Sequence, residues 1–178
     1  MTWPAIEAIR TERLYLEPLR VAHAEAMVGV LSAPALYEFT GGCAPTVAQL
    51  RRRYQAQAVG HSGDQRQWWL NWIVAEVDSG RPVGYVQATV ECVDDVMEAD
   101  LAWVIQPGSQ RRGFATEATR GMTDWLVTVG VERFAAYIHP THHASASVAR
   151  ALGMLPSDVV EDGEIRWESN REPATNRV

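Results

Sequence analysis

Residues 99–119 read ADLAWVIQPGSQRRGFATEAT, and the fold turns on them. Asp100 to Gln106 is a short, mostly apolar run with Ala102, Trp103, Val104 and Ile105 at its centre, the pattern of a strand. Pro107-Gly108 stops it, and Gln110-Arg111-Arg112-Gly113-Phe114-Ala115 leads into an apparent helix that begins near Ala115. Strand, tight glycine-containing turn and helix line up backbone N–H groups at a positive helix end, a ready seat for a phosphate or diphosphate. Gly113 supplies what such a turn needs, a positive φ or close backbone approach to a ligand.

Upstream, Arg13 to Leu19 alternates apolar and polar residues and reads as a strand, and Val21 to Leu31 carries apolar residues at helical spacing. Leu36 to Pro45 has two adjacent glycines and no periodicity, so a loop is expected. Thr46-Val47-Ala48-Gln49 fits a capping box opening a helix to about Val59. Trp68–Val77 and Val83–Cys92 read as a hairpin across Asp78–Pro82, and Asp94-Asp95 turns the chain into the strand Ala99–Gln106. Downstream come a helix Ala115–Val129 capped by Gly130, a strand Arg133–His139 and a short helix Ala144–Leu152 stopped by Gly153. A final hairpin is expected around Asp162-Gly163, followed by a polar, frayed tail from Asn170. The order β-α-α-β-β-β-α-β-α-β-β describes an α/β fold with a mixed sheet covered by helices on both faces.

With 178 residues, 47% hydrophobic and 21% charged, the expectation is one globular domain over residues 1–178. No apolar run approaches the roughly 20 residues that span a bilayer, so no membrane partner is expected. Residues 1–20 lack a signal-peptide core, which points to the cytoplasm. The net charge of −6 argues against nucleic acid as a partner. An anionic ligand therefore needs a local basic patch, and Arg111, Arg112 and Arg120 supply one around the turn. Arg51-Arg52-Arg53 reads as a solvated helix face. Cys43 and Cys92 read as ordinary thiols, and His139, His142 and His143 lack the acid or cysteine that would complete a metal site, so no metal is expected.

This order and these motifs resemble the GNAT superfamily of acyl-CoA-dependent N-acyltransferases, and within it the branch of ribosomal-protein N-terminal acetyltransferases. The resemblance runs from Arg10-Thr11-Glu12-Arg13-Leu14 to Glu168. Gln110-Arg111-Arg112-Gly113-Phe114-Ala115 resembles the family's Q/R-x-x-G-x-G/A acyl-CoA loop, and Pro140-Thr141-His142-His143-Ala144-Ser145 resembles its P-x-N-x-A-S segment. The resemblance implies an N-acetyltransferase using acetyl-CoA as co-substrate and compatible with a homodimer. Its acceptor would be a small-molecule amine or a protein N-terminal amine.

The implied cofactor contacts are Gln110, Arg111, Arg112, Gly113, Phe114, Ala115 and Thr116 at the turn, with the backbone of Val104 and Ile105 on a strand that splays from its neighbour. His142 stands where the family has an asparagine, Met154 where it has phenylalanine, and Ala149 where many relatives carry a tyrosine acid. Ser145 is then the candidate to hydrogen-bond the leaving thiolate, or alternatively to cap its helix. Direct attack in a ternary complex uses proximity and needs no enzyme nucleophile. Asp100 aligns with the branch's acidic strand-opening position and is the candidate base, with Glu98 two residues earlier as the other. Glu117 reads as structural. Tyr37, Glu38 and Phe39, with Glu161 and Glu164 of the final hairpin, would line the acceptor site. Two other readings compete: a catalytically weak acyl-CoA-binding sensor, and a nucleotide-binding module, which lacks the Lys-Ser/Thr of an NTPase loop.

Overall fold

A computed structural model describes residues 3–170. One eight-stranded sheet runs through it: β1 (Ile9–Arg10), β2 (Leu14–Pro18), β3 (Gln67–Glu76), β4 (Pro82–Val93), β5 (Val96–Ile105), β6 (Arg133–Ile138), β7 (Leu155–Glu161) and β8 (Glu164–Asn170). The spatial order is β1-β2-β3-β4-β5-β6-β8-β7, with every pair antiparallel except the parallel β5–β6. Alternation fixes which residues face which side. On one face Trp68, Leu70, Trp72, Val86, Ala88 and Ala99 are buried beneath α3 (Phe114–Thr128) and α4 (His143–Ala151).

Helix α3 offers that face Phe114, Ala118, Met122 and Leu126, a stripe of four-residue spacings. Burying each large side chain contributes roughly 1.5–3 kcal/mol. Trp125 completes the seal, 5.7 Å from Trp68 and 5.5 Å from Trp72 between ring centroids. The opposite face carries α1 (Ala24–Val30) and α2 (Val47–Gln57) over only one end of the sheet, where Met27, Leu50, Tyr54 and Ile73 form a second core.

The Thr46–Gln49 capping box forms with both reciprocal bonds. Asp94 and Asp95 take φ of +52° and +63°. This tight two-residue turn lets Val93 pair with Val96, so β5 begins three residues before the expected start at Ala99. The expected helix from Val21 is a 3₁₀ turn over Val21–His23 followed by α1, and a 3₁₀ turn spans Pro34–Tyr37 inside the expected loop. Strand β1 is too short for alternation to announce it. Asn170 lies in β8, and the rest of the expected frayed tail lies outside the described residues.

Candidate active site

The glycine turn is built as an anion nest. Gly113 (φ +80°) is the N-cap of α3, and Arg111 takes φ +59°, so two left-handed residues bracket Arg112. Glu117 N–H to Gly113 O (3.0 Å) is the first helical bond. The N–H groups of Arg111 through Thr116 meet no protein acceptor among the described residues. Gln110 Nε2 donates to Ile105 O at 2.8 Å and ties the turn to β5.

The opening Thr-Glu-Arg segment holds this turn from outside. Glu117 accepts from Thr11 Oγ1 (2.6 Å), Arg13 N (2.9 Å) and Arg13 Nε (2.7 Å), while Arg13 Nη1 reaches Arg112 O at 2.9 Å. Burial alone would raise the Glu117 pKa, but the bonds from Thr11 and Arg13 outweigh it and hold the carboxyl below its usual range. Glu117 is therefore a structural clasp, as its position implied.

The expected basic patch is largely spent within the protein. Arg112 makes a bidentate pair with Glu76 (2.9 and 3.2 Å) and lies 4.2 Å from the Phe114 ring. Arg120 donates to Ala151 O at the end of α4 (2.7 Å). Anion attraction at the turn thus falls to backbone amides and Arg111.

Strand β5 pairs with β6 only at Glu98, Ala99 and Asp100, after which the two diverge. Leu101–Ile105 therefore lose their neighbour on that side. The hairpin closes on the Val93–Val96 pair and Gln106 N–H donates to Val83 O, so the backbones of even-numbered residues address β4. Val104, expected to serve a ligand, thus turns its backbone toward β4. Trp103 and Ile105 turn theirs into the opening, and Trp103 went unrecognised in the sequence. A cavity of about 240 Å³ sits at the vertex, lined by Leu101, Thr123, Phe134 and Met154 among others. Gly84 allows the close approach of β4 here, since a Cβ at that position would lie 1.9 Å from Val104 O.

Across the opening, His142 is the N-cap of α4. Its Nδ1 accepts from Ser145 N–H (3.4 Å), which leaves the proton on Nε2 to donate to Ser145 Oγ (3.2 Å). Burial chiefly lowers the His142 pKa, against Glu38, so the ring is neutral. Phe39 stacks on His142 with centroids 4.2 Å apart, joining the loop after Tyr37 to the start of α4. Tyr37 spends its hydroxyl on Leu31 O at 2.7 Å. Ala149 is fully buried, so α4 offers no phenol at that position.

The uncovered half of the α1–α2 face is a polar floor. Asn71 and Gln87 pair opposite Ala102, and Thr89 opposite Asp100, all half-buried. At its rim Arg166 of β8 contacts Glu98, Glu168 (2.6 Å) and Tyr137 Oη (3.0 Å), and Asp100 Oδ1 at 3.7 Å. Glu98 is clamped between Arg166 and Arg133 (3.2 Å). Asp100 Oδ1 accepts no hydrogen bond among the described residues. Burial pushes its pKa above the usual aspartate value, with Arg166 opposing and Glu98, Glu91 and Glu161 adding. Among the described residues no group of three or more His, Cys, Asp or Glu could hold a metal.

The family described as "Acetyltransferase (GNAT) domain" matches residues 13–155, most of the chain. The chain belongs to the GNAT acetyltransferases. Among solved structures it is similar to RimL, a ribosomal L7/L12 α-N-protein acetyltransferase in complex with coenzyme A, with a TM-score of 0.76. Identity there is 16%, covering 92% of this chain and 98% of that one. It is also similar to an acetyltransferase from Salmonella typhimurium that modifies the N-terminal serine of L7/L12 (TM-score 0.75, 14% identity, 93% and 100% covered). A third similar structure is a GNAT-family acetyltransferase from Bordetella pertussis (TM-score 0.69, 22% identity, 92% and 99% covered). A search of the curated proteins finds no match.

GNAT acetyltransferases use acetyl-CoA, and two features of this chain fit it: the unspent amides of Arg111–Thr116 and the unpaired side of β5. No helix among the described residues is long and apolar enough to cross a membrane. Of the expected GNAT site residues, Asp100 and Glu98 share one sheet face, while His142, Ser145 and Phe39 meet across the opening. Arg166 was missed because its role depends on a β8–β6–β5 adjacency that no local pattern encodes.

Proposed function

We propose that this protein transfers an acetyl group from acetyl-CoA to a primary amine by direct attack in a ternary complex, with Asp100 as base. The observation that carries this is the juxtaposition of a nest of free amides at Gly113 with a strand whose neighbour has diverged. When bound, acetyl-CoA supplies an activated thioester. The Arg111–Thr116 amides and Arg111 hold its diphosphate, each helix-end contact adding about 0.3–1 kcal/mol. The Trp103 and Ile105 N–H groups point into the opening, where they can orient the pantetheine arm and donate to charge developing at the acyl oxygen.

Asp100 takes the amine's proton. Strand geometry puts it about 10 Å from Trp103 along β5, so proton transfer runs through a water. Its unbonded oxygen and upward-shifted pKa suit a base, whereas both Glu98 oxygens are taken up in ion pairs with Arg133 and Arg166. Ser145 Oγ already accepts from His142, so its own O–H is free to donate a hydrogen bond to the departing thiolate, which takes its proton from water. The RimL likeness favours a protein N-terminal amine as acceptor over a small free amine.

Thiol release from acetyl-CoA over a panel of amines and N-terminal peptides tests the proposal. Amine-dependent release, accelerated at least tenfold by one acceptor, is expected. Tight coenzyme binding with no release over any amine would instead establish an acyl-CoA sensor.

A further inference from the structure

All three residues of the run Arg51-Arg52-Arg53 are exposed, as expected of a solvated helix face, but their pairing differs. Arg51 pairs with Glu25, whereas Arg53 makes no ion pair among the described residues. Arg53 lies close enough to Tyr37, Tyr54 and Tyr85 to favour their ionised forms. Tyr54, on α2, is 4% exposed, yet its hydroxyl has no hydrogen-bond partner among the described residues. Tyr85, on β4, stands directly across from Val104 and packs in the same cluster as Tyr54. Buried polar groups without a partner are rare because each gives up its hydrogen bonds to water with nothing in return. Burial pushes the Tyr54 phenol up to about 12 and the Tyr85 phenol upward too, so both remain protonated donors.

The acceptor floor thus has two ends of opposite character. Glu91, Glu98, Asp100 and Glu161 gather at the rim, while the Tyr54 and Tyr85 phenols stand under α1–α2 with the exposed Arg53 guanidinium within electrostatic reach of both. An amine attacking beside Trp103 lies between them. We propose that Tyr54, Tyr85 and Arg53 form a carboxylate-binding subsite that selects acceptors bearing a carboxylate a few bonds from the reacting amine. The inference rests on the acetyl-transfer reading for its orientation on the floor. The carboxylate can belong to a free amino acid or to an acidic side chain near a peptide N-terminus.

Calorimetric binding to the coenzyme A-loaded protein separates these. The probes are ω-amino acids H₂N–(CH₂)n–COO⁻ against their amides, and short peptides opening with Asp or Glu against Asn or Gln. In at least one matched pair the carboxylate member binds tenfold tighter or more, and Arg53→Gln and Tyr54→Phe each remove most of that preference without weakening the amide member. Discrimination only among the free amino acids, or only among the peptides, identifies the source. Tyr54→Phe loses no thermal stability, because it deletes an unpartnered buried hydroxyl, and Tyr85→Phe gives a second reading of the same preference. Carboxylate and amide members binding within twofold in every pair would overturn the subsite, as would variants that weaken both members equally. Binding preference without thiol release would sustain the subsite while refuting acetyl transfer. Release with no preference would do the reverse.

Discussion

An alanine at position 84 would bring its Cβ to 1.9 Å from the Val104 carbonyl oxygen and 2.9 Å from Ile105 Cδ1. Carbon–oxygen contacts settle near 3.3 Å, so β4 and β5 must part by roughly 1.4 Å at this pair. The neighbouring amides, those of Trp103 and Ile105, are the ones turned into the opening beside β6. Overpacking of this kind costs about 1–3 kcal/mol. At roughly 2–4 °C per kcal/mol for a chain of this size, the melting temperature falls by a few to about ten degrees. A shift near 1 Å in a positioning element costs about 10²-fold in rate, so kcat/KM for the best amine falls by that order. Affinity for the diphosphate end stays close to wild type, because the Gly113 nest is clasped by Thr11, Arg13 and Glu117, none of which touches Gly84. Thermal melts, calorimetry with coenzyme A and a continuous thiol assay read the three quantities. A Gly84→Ala protein with unchanged kcat/KM would refute the assignment of the opened strand to the reacting end.

Asp100 must be ionised to accept a proton, and burial raises its pKa, so the rate falls on acidification at a pH above the usual aspartate midpoint. Asp100→Asn abolishes that limb of the pH–rate profile and lowers kcat by about 10²-fold or more with coenzyme affinity unchanged; an unaltered profile excludes the role. Glu117→Ala releases Thr11 and Arg13 together, costing about 2 kcal/mol and weakening coenzyme A binding as the turn loosens. Equal binding by that variant would show that the clasp does not shape the nest.

Most of the fold was legible because its signals are local. The Trp, Ile and Val content of Trp68–Val77, the Thr46–Gln49 box and the Asp162-Gly163 hairpin each fix their own element within a few residues. The glycine turn was legible for the same reason, since Gly113 marks its own positive φ, whereas the left-handed Arg111 two residues earlier carries no such mark. What stayed hidden depends on distant pairings. The Arg112–Glu76 and Glu117–Arg13 bonds join residues 36 and 104 positions apart, so the expected basic patch dissolved into internal pairs. Backbone parity in β5 follows from how its hairpin closes, which turned Val104 away and brought Trp103 in. Arg53 is exposed, as the run implied, but three successive arginines carry no mark of which one lies near a tyrosine.

The central claim is that free backbone amides around Gly113 seat the diphosphate of acetyl-CoA while the diverged strand receives its acyl end. Titrating an isotopically labelled sample with acetyl-CoA and following backbone amide resonances tests it most directly. The account predicts the largest shifts at Arg111 to Thr116, with Trp103 and Ile105 moving in step at the same affinity. Saturable binding whose shifts leave those amides unmoved would contradict it.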